Sequence, residues 1–527
     1  MSADRSAAVT DEFKAAALND AVDGLRERHP LASAAVAFVP WQRNLALAVA
    51  ALVVGCAVFF PIGTFTVLIA VCTLAYVATM IDRLIIFARG LDREAIVTVS
   101  DEDARAIPDD ELPSYTILVP AYDETEVIYD LVAGMTALEY PREKLQVLLL
   151  LEEDDHGTVE AAKDAISVPG GEIVTVILVP AAQPRTKPKA CNYGLHFATG
   201  EIVTIYDAED KPDPLQLRRV VAAFARQPDD VACVQAKLAY DNGRQNLLTG
   251  WFTAEYAVWF NFLLPGLMKT RSPIPLGGTS NHLQRWVLDE IGAWDPHNVT
   301  EDADLGVRIA ASGYSTAVLD STTIEEANSD PINWIRQRSR WYKGYLQSWL
   351  VHTRRPLEAW RSLGALSFIR FTLLLAGTPI IACLNLVFWF ITFTWLLGQP
   401  LIVADVFPPY IYYGALVSLV FGNAAAIYMN IVGCRETGNS HLLLACVTVP
   451  IYWLMMSIAA AKGCWQLLRN PSYWEKTFHG LGTPSPQSPA APSPRPPPVP
   501  GRPLTAFCAL VADFRRPPAR QVRKTRG

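Results

Sequence analysis

The sequence lacks the signals of several common classes of protein. Its nine cysteines form no CxxC pair, which argues against a thiolate metal site and a disulfide framework. Charged residues make up only 18% of the chain and the net charge is −7, so a nucleic-acid partner is not indicated. The N-terminus carries no evident cleavable signal peptide, and no internal repeat is visible along the chain.

Hydrophobic residues, in contrast, account for 51% of the chain, which is more than an ordinary soluble enzyme carries. Residues 44–61 and 64–82 are apolar runs long enough to cross a bilayer, and later runs cover 366–397, 409–433 and 441–461. Arginines lie before the first run and after the second, so the positive-inside rule places the region that follows in the cytoplasm. We therefore predict an integral protein of the inner or plasma membrane with a cytoplasmic soluble domain.

The soluble domain is predicted between the two groups of apolar runs. Strand-like and helix-like segments alternate there, which indicates an α/β fold with a mainly parallel sheet. Strands are predicted at 116–119, 146–151, 173–179, 202–206 and 231–235. Polar residues follow several of these strands, and sheets of this kind bind their ligands at the carboxyl ends of the strands.

Three carboxylates, Asp207, Glu209 and Asp210, follow the predicted strand over residues 202–206. Carboxylates at the end of a buried strand are costly unless something neutralises them. A hard divalent cation would do so, because Mg²⁺ is usually held by one or two carboxylates together with substrate phosphates. The alternative is an ordinary acidic turn after a strand.

Three other polar clusters occur in the same region: TILVPAYDE at 116–124, TED at 300–302 and QRSRW at 337–341. In this order, and between membrane spans, the clusters resemble the processive family-2 glycosyltransferases, to which cellulose, hyaluronan, chitin and curdlan synthases belong. The resemblance covers roughly residues 114–345. It implies a GT-A-like α/β domain that binds a nucleotide-sugar and is inserted between transmembrane helices.

The resemblance implies where a nucleotide-sugar donor, in particular a UDP-sugar, would bind. Tyr122 and Glu124, after the first strand, would meet the nucleoside. Glu153 lies in the acidic stretch that would contact the base, although a neighbouring carboxylate could serve instead. Lys189 matches the basic residue near the diphosphate, and its alternative role is that of a solvated surface lysine.

The resemblance also implies the metal site and the catalytic base. Asp207 and Glu209 fall on the DxD positions, and with Asp210 they would hold Mg²⁺ or Mn²⁺ as a Lewis acid on the leaving diphosphate. Asp302 falls on the position of the general base, which takes the proton of the acceptor hydroxyl; Glu301 beside it is a further candidate. Alternatively, Asp302 is a helix N-terminal carboxylate that faces the macrodipole.

Gln337, Arg340 and Trp341 would bind the acceptor. An indole face stacks on a pyranose, and the two polar side chains bind hydroxyls and diphosphate. Gln337 and Trp341 are four residues apart and therefore share one helical face. The alternative for Trp341 is an interfacial aromatic residue close to the membrane.

Two other segments are interpreted through the resemblance. The run GGTSNH at 277–282 is expected to line the cleft by close backbone approach, with His282 as a structural histidine. Beyond the last apolar run, Trp474, Lys476 and Thr477 resemble a segment that closes over the nucleotide in some relatives. An aromatic and basic membrane anchor is the alternative for that segment.

These predictions give the chain an ordered layout. It comprises a cytoplasmic N-terminal segment (1–40), two transmembrane helices (41–88), the glycosyltransferase domain (110–345), interfacial helices (346–372), transmembrane helices (373–465), a cytoplasmic gating segment (466–481) and a Pro-rich, basic, disordered tail (482–527). Three crossings after the domain would put the last basic residues outside. An even number is expected, so either the 366–397 run hides an extra crossing or one later run fails to span.

The predicted function is that of a membrane-integrated, inverting β-glycosyltransferase of the hexosyltransferase type, which elongates and exports a polysaccharide. Its partners would be a nucleotide-sugar, a polysaccharide or glycolipid acceptor, and membrane lipid. One alternative is a non-processive enzyme that glycosylates a lipid carrier, which would need no site for a growing chain. The other is a non-catalytic membrane scaffold, against which the intact Asp207, Asp302 and QRSRW argue.

Overall fold

The computed structural model describes residues 10–167, 170–398 and 405–475 of the chain. The predicted Pro-rich tail (482–527) and the candidates Lys476 and Thr477 lie outside these residues. The α-helices of the described residues are α1 Asp11–Arg28, α2 Pro40–Phe59, α3 Pro61–Gly90, α4 Asp101–Arg105, α5 Ile128–Thr136, α6 His156–Ile166, α7 Lys187–Leu195, α8 Gln216–Arg226, α9 Leu247–Val258, α10 Leu264–Lys269, α11 Arg285–Ile291, α12 Glu301–Ala311, α13 Pro331–His352, α14 Pro356–Leu363, α15 Ala365–Phe371, α16 Thr378–Gly398, α17 Pro409–Glu436, α18 Leu443–Val447 and α19 Val449–Arg469.

An eight-stranded sheet forms the centre of the soluble domain. Its strands are β1 Tyr115–Ala121, β2 Leu145–Glu152, β3 Val174–Val179, β4 Ile202–Ile205, β5 Lys211–Pro212, β6 Val231–Tyr240, β7 Asn281–Gln284 and β8 Ser315–Glu325. The order across the sheet is β3-β2-β1-β4-β7-β6-β8-β5. The pairs of β1 with β2 and β4, β2 with β3, and β6 with β8 are parallel, whereas β7 runs antiparallel to both its neighbours. The predicted α/β fold with a mainly parallel sheet is confirmed.

The sheet is buried on both faces, which explains why its strands are nearly continuous apolar runs. Ile117 and Val119 of β1 belong to the hydrophobic cluster that holds α5, α6 and α8, whereas Leu118 belongs to the cluster with α7, α10 and α11. The second cluster also takes in Ile86 and Phe87 of the long helix α3. The core of the domain therefore continues into the helices that flank it.

Four helices are long and apolar enough to cross a membrane: Pro40–Phe59, Pro61–Gly90, Ala365–Gly398 and Pro409–Glu436. The third contains a π-helical segment, Thr372–Gly377, but it is one helix, so the described residues offer no extra crossing there. The last apolar run is broken instead, with a bend of 61° between Ser440–Val447 and Val449–Arg469. This bent pair is either one broken span or a run that does not cross, so the even number of later crossings stays a prediction.

The first membrane helix pair is fixed to the domain by close backbone contact. A Cβ placed on Gly90 of α3 would lie 1.8 Å from the carbonyl oxygen of Phe262, and one on Gly266 of α10 would lie 2.0 Å from that of Ile86. Only glycine permits this mutual approach. The contact holds α3 against α10 and the segment just before it.

The last part of the domain differs from the predicted layout. Helix α13, which carries QRSRW, does not end near residue 345 but runs on to His352. It is followed by α14 and α15, whose exposed residues include Leu357, Trp360 and Leu366. The segment predicted as interfacial (346–372) therefore begins with the last third of a domain helix.

Candidate active site

A cavity of about 730 Å³ lies where β1 and β4 end, and it extends from there between helices that can cross a membrane. The residues predicted from the sequence that line it are Tyr122, Glu124, Asp207, Glu209, Glu301, Asp302, Gln337, Arg340, Trp341 and Trp474. Glu153, Lys189 and Asp210 do not line it. The structure thus brings the four sequence clusters together but leaves three of the predicted side chains outside the shared space.

Lys187, which the sequence analysis missed, is the cation at the acidic end of this cavity. It is the first residue of α7, and its Nζ donates to the carboxylate of Asp207 and, at 2.8 Å, to the carbonyl oxygen of Gly278. Burial alone would lower the pKa of Lys187, but the carboxylates of Asp207 and Glu301 raise it above its ordinary value. A permanent positive charge therefore faces the position where a diphosphate is expected.

Lys189 has a different environment from the one predicted for it. Its side chain is fully buried, and its Nζ lies 2.7 Å from Oε1 of Glu152 at the end of β2. It also donates to the carbonyl oxygen of Ala182 at 3.3 Å. The alternative of a solvated surface lysine is wrong, and the structure does not bring this ammonium to the cavity.

The three carboxylates of the acidic turn after β4 do not all face the cavity. Asp210 is only 3% exposed, and its Oδ2 accepts from the backbone N–H of Asp207 at 2.8 Å and from the hydroxyl of Thr279. Burial and the neighbouring carboxylates raise the pKa of Asp210 well above its ordinary value. Asp210 therefore shapes the turn, and Asp207 and Glu209 are left to face the cavity.

Two further carboxylates that the sequence did not single out reach the same cavity. Glu325 ends β8 and Glu326 follows it, and both line the space that Asp207 and Glu209 also face. Burial, together with the charges of Asp210 and Asp207, raises the pKa of Glu325 well above its ordinary value. The β8 strand was not predicted because its Ser and Thr residues interrupt the apolar pattern.

Asp302 lies in the first turn of α12, with one oxygen toward the helix. Its Oδ1 accepts from the backbone N–H of Ala303 at 2.8 Å, so the predicted helix N-terminal role is present in the structure, and the side chain still lines the cavity. Burial raises the pKa of Asp302 above its ordinary value. Burial and the charge of Asp302 likewise raise the pKa of Glu301 to about 8.

The helix α13 contributes Gln337, Arg338, Arg340 and Trp341 of QRSRW to the cavity wall. It packs so closely on the turn before α12 that a Cβ on Gly344 would lie 2.2 Å from Oγ1 of Thr300. The Oε1 of Gln337 is buried without a hydrogen-bond partner among the described residues. Such an atom is costly unless a ligand satisfies it, which makes Gln337 a suitable contact for a hydroxyl.

The chain beyond α19 returns to α13. Lys343 donates from Nζ to the carbonyl oxygen of Tyr473 at 2.5 Å, and Gln347 donates to that of Pro471 at 3.1 Å. These contacts place Trp474 in the cavity wall, with the guanidinium carbon of Arg340 4.4 Å from the centre of its ring. Trp474 of the predicted gating segment therefore lies at the site, whereas Lys476 and Thr477 are outside the described residues.

The residues predicted near a nucleoside are spread over two loops. Tyr122 is 44% exposed at the end of β1, and Arg185, which was not predicted, lines the cavity beside it. Glu153 instead accepts from the backbone N–H of Ala181 at 2.9 Å, away from the cavity. His282 is fully buried, and burial lowers its pKa to about 3, as a structural histidine requires.

Residues 113–344 match the family model described as Glycosyltransferase like family 2. This part of the chain is therefore similar to family-2 glycosyltransferases. Among curated proteins, the probable glycosyltransferase YdaM of Bacillus subtilis (strain 168) is 25% identical over 235 residues, 44% of this chain and 56% of its own length. The β-monoglucosyldiacylglycerol synthase of Nostoc sp. (strain PCC 7120 / SAG 25.82 / UTEX 2576) is 28% identical over 249 residues, 45% of this chain and 50% of its own. The chain spans about half the length of these relatives.

A solved structure described as mannosyltransferase PcManGT from Pyrobaculum calidifontis in complex with GDP-Man and Mn²⁺ is also similar. It covers 76% of this chain and 99% of its own, with 19% identity and a TM-score of 0.46. The family match confirms the predicted GT-A-like fold. The match and the two relatives agree with the prediction of a hexosyltransferase-type glycosyltransferase. The matched domain is flanked by helices long and apolar enough to cross a membrane.

Proposed function

We propose that the protein transfers a sugar from a nucleotide-sugar, here a UDP-sugar, to a growing polysaccharide, which then leaves through the protein's own membrane helices. The observation that carries this proposal is the extent of the cavity. Asp207 and Asp302 line one part of it, and residues of α3, α16, α17 and α19 line another. Donor and acceptor could therefore meet at the carboxyl end of the sheet, with the product directed toward the membrane.

The polar side chains that the membrane helices contribute to the cavity support a glycan rather than a purely apolar acceptor. They include Thr79 of α3, Asn385 of α16, Asn430 of α17 and Ser457 of α19. Polar groups at membrane depth are expensive and usually mark a substrate path. The hydroxyls of a glycan chain would add to the hydrogen bonds that these side chains already make within and between the helices.

The residues present fit a divalent metal that arrives with the donor. Asp207 and Glu209 face one space, and the described residues contain no group of three or more His, Cys, Asp or Glu side chains suited to hold an ion alone. Mg²⁺ and similar ions commonly take one or two carboxylates and complete their shell with substrate phosphates. When bound, Mg²⁺ or Mn²⁺ would neutralise the developing charge of the leaving diphosphate. Lys187 would add a second positive charge at the same place.

Asp302 is proposed as the general base. It would accept the proton of the acceptor hydroxyl while that oxygen attacks the anomeric carbon from the side opposite the leaving diphosphate. A single in-line displacement inverts the anomeric centre, so the product would be a β-linked sugar from an α-linked donor. Gln337 and Trp341 of α13, which also line the cavity, would hold the acceptor in this orientation.

A lipid acceptor is the second candidate, and a specific finding favours it. One relative carries the name of a β-monoglucosyldiacylglycerol synthase, which is the name of an enzyme that makes a glycolipid. The wall of the cavity also contains apolar residues of membrane helices, such as Met80, Ile381 and Met429, which a lipid could contact. In this function the enzyme would add one sugar and release its product into the membrane.

An assay of the purified full chain in lipid nanodiscs tests both candidates. The protein is supplied in turn with UDP-glucose, UDP-galactose, UDP-N-acetylglucosamine, UDP-glucuronic acid and GDP-mannose, and nucleotide release and product length are measured. A polymer from a UDP-sugar supports the first proposal, and a single sugar on diacylglycerol added to the nanodiscs supports the second. Absence of nucleotide release with every donor contradicts both. Full activity in EDTA, or in Asp207→Ala, contradicts the metal site.

A further inference from the structure

Arg338, between Gln337 and Arg340, forms a buried ion pair with a residue outside the QRSRW motif. Its Nη1 donates to Oε1 of Glu255 at 2.9 Å and its Nη2 to Oε2 at 2.6 Å, in a bidentate pair. The side chain of Arg338 is only 8% exposed and that of Glu255 only 25%. Glu255 lies on α9, 83 residues earlier in the chain, so this contact is invisible in the local sequence.

A third residue ties the pair to the last helix. The hydroxyl of Tyr452, on α19, donates to Oε2 of Glu255 at 2.8 Å and lies 3.2 Å from Nη2 of Arg338. Tyr452 is 1% exposed and its ring lies between those of Trp251 and Trp334, at 5.4 and 5.0 Å. The three charged and polar groups therefore join α9, α13 and α19 at one point in the cavity wall.

The guanidinium of Arg338 also contacts the aromatic residue proposed to stack on the acceptor. Its carbon lies 4.6 Å from the centre of the Trp341 ring, and 5.2 and 5.3 Å from those of Phe252 and Trp334. The Phe252 ring also contacts Trp341, with 5.8 Å between centroids and 55° between the ring planes. Trp341 is thus in contact with both a cation and an aromatic ring, which restricts the plane of its indole.

A buried ion pair is a poor way to gain stability, because desolvation consumes most of the attraction between the charges. It is an effective way to fix geometry, since the planar fork of an arginine matches a carboxylate in one orientation only. Glu255 therefore sets the orientation of the guanidinium, and the guanidinium in turn sets that of the indole. Both effects depend on where α9 and α19 lie relative to α13.

We propose that the Glu255–Arg338 pair is a positioning device for Trp341, which holds the indole in the plane needed to stack on an acceptor sugar. The role of Trp341 in acceptor binding rests on the function proposed above, whereas its restraint by the ion pair does not. Glu255 and Arg338 act through Trp341 and take no part in the proton transfer. Loss of the carboxylate charge should leave the donor end of the cavity intact and release the indole.

Fluorine NMR of the full chain, labelled with 5-fluorotryptophan in detergent micelles, tests the restraint without any substrate. The Trp341 resonance is assigned by its loss in Trp341→Phe. We expect one narrow line for the wild-type protein and a shifted or split line in Glu255→Gln, which keeps the size of the side chain but removes its charge. The matched control is Asp320→Asn, which breaks the ion pair with Lys237 on the sheet, outside the cavity, and should leave the line unchanged.

An unchanged Trp341 line in Glu255→Gln overturns the inference. If Glu255→Gln shifts the lines of all tryptophans, the fold itself has changed, and the test passes to Tyr452→Phe, which removes only one hydroxyl. In Tyr452→Phe, a shift confined to the Trp341 line supports the inference. An unshifted Trp341 line in that variant overturns it. The functional readout uses the UDP-sugar that the wild-type protein consumes. Glu255→Gln should shorten the product while the KM for the donor stays within about twofold. A wild-type protein that consumes no donor contradicts the proposed function. The NMR experiment then still decides whether the ion pair restrains Trp341, because it uses no substrate.

Discussion

The ammonium of Lys187 and the carboxylate of Asp207 form an ion pair at the donor end of the cavity, between the start of α7 and the turn after β4. Lys189, two residues later on the same helix, is fully buried and pairs instead with Glu152. Residues two apart on a helix point in different directions, and only Lys187 of the two lines the cavity. The structure assigns the cavity to Lys187 and the core to Lys189.

The different positions of Lys187 and Lys189 predict different effects when each lysine is replaced by methionine: one on ligand affinity, the other on stability. Lys187→Met should weaken binding of UDP about 10- to 100-fold, because a hydrogen bond to a charged group is worth about 1.5–3 kcal/mol. Its stability should change little, since the side chain faces the cavity. Lys189→Met should instead destabilise the fold by about 3–5 kcal/mol, because Glu152 would be left as an uncompensated buried charge.

Isothermal titration with UDP and thermal unfolding of both variants, side by side, measure the two effects. Wild-type UDP affinity in Lys187→Met would remove this residue from the donor site. If Lys189→Met instead lost UDP affinity at wild-type stability, the roles inferred for the two lysines would be exchanged.

Asp302→Asn should reduce turnover by about 10²-fold or more while the affinity for the donor changes little. The amide keeps the shape of the carboxylate but cannot accept a proton. Because burial raises the pKa of Asp302, the base is protonated at low pH, and turnover of the wild-type protein should rise with pH through a value above the ordinary 3.8 of aspartate. Steady-state kinetics and donor titration between pH 4 and 8 measure both effects. Turnover that survives while donor affinity is lost would make Asp302 a binding residue.

The parts of the site that the sequence predicted are those set by local pattern. Asp207 and Glu209 follow an apolar strand, and Gln337 and Trp341 share a helical face, so each position follows from its neighbours in the chain. These residues do line one cavity. The five predicted strands are likewise present as β1, β2, β3, β4 and β6, because each is a compact apolar run between turns.

The parts that the sequence missed depend on contacts between distant segments. β7, Asn281–Gln284, is a polar strand that exists only because it pairs with β4 and β6. Asp210 turns inward because Thr279, 69 residues away, supplies a hydroxyl to it. Glu255 reaches Arg338 across α9 and α13, and neither residue belongs to a periodic pattern that would reveal the pair. No local rule contains this information.

The arrangement of the membrane helices predicts that both ends of the described chain lie on one side. The carbonyl oxygen of Tyr473, after α19, accepts from Lys343 on the domain helix α13, so the chain beyond the last helix is on the side of the catalytic domain. Four crossings satisfy this, with the bent pair α18–α19 turning back. Reporters inserted at Pro108 and fused to the C-terminus should both read cytoplasmic, where nucleotide-sugars are made. A C-terminal reporter that reads extracellular would contradict this topology, whichever way the other reads.

Trp341→Ala should shorten or abolish the polymer while hydrolysis of the UDP-sugar, with water as acceptor, persists. The indole faces the cavity from α13 and is proposed to hold the terminal sugar while the nucleotide leaves and a new donor enters. Stacking of a base on an aromatic side chain is worth about 1–3 kcal/mol, and we take sugar stacking to be similar or smaller. Losing it should speed dissociation of the chain about tenfold for each 1.4 kcal/mol.

Trp360→Ala is the matched control for this last prediction, because Trp360 is 43% exposed on α14 and does not line the cavity. The donor end around Lys187, Asp207 and Glu209 is intact in both variants, so nucleotide release without acceptor should be equal. Product length, measured by size-exclusion chromatography of the released glycan, separates the possibilities. An enzyme that adds a single sugar gives the same short product from all three proteins. If Trp341→Ala makes polymer of wild-type length at the wild-type rate, QRSRW does not hold the acceptor, and the argument for processive elongation loses its support.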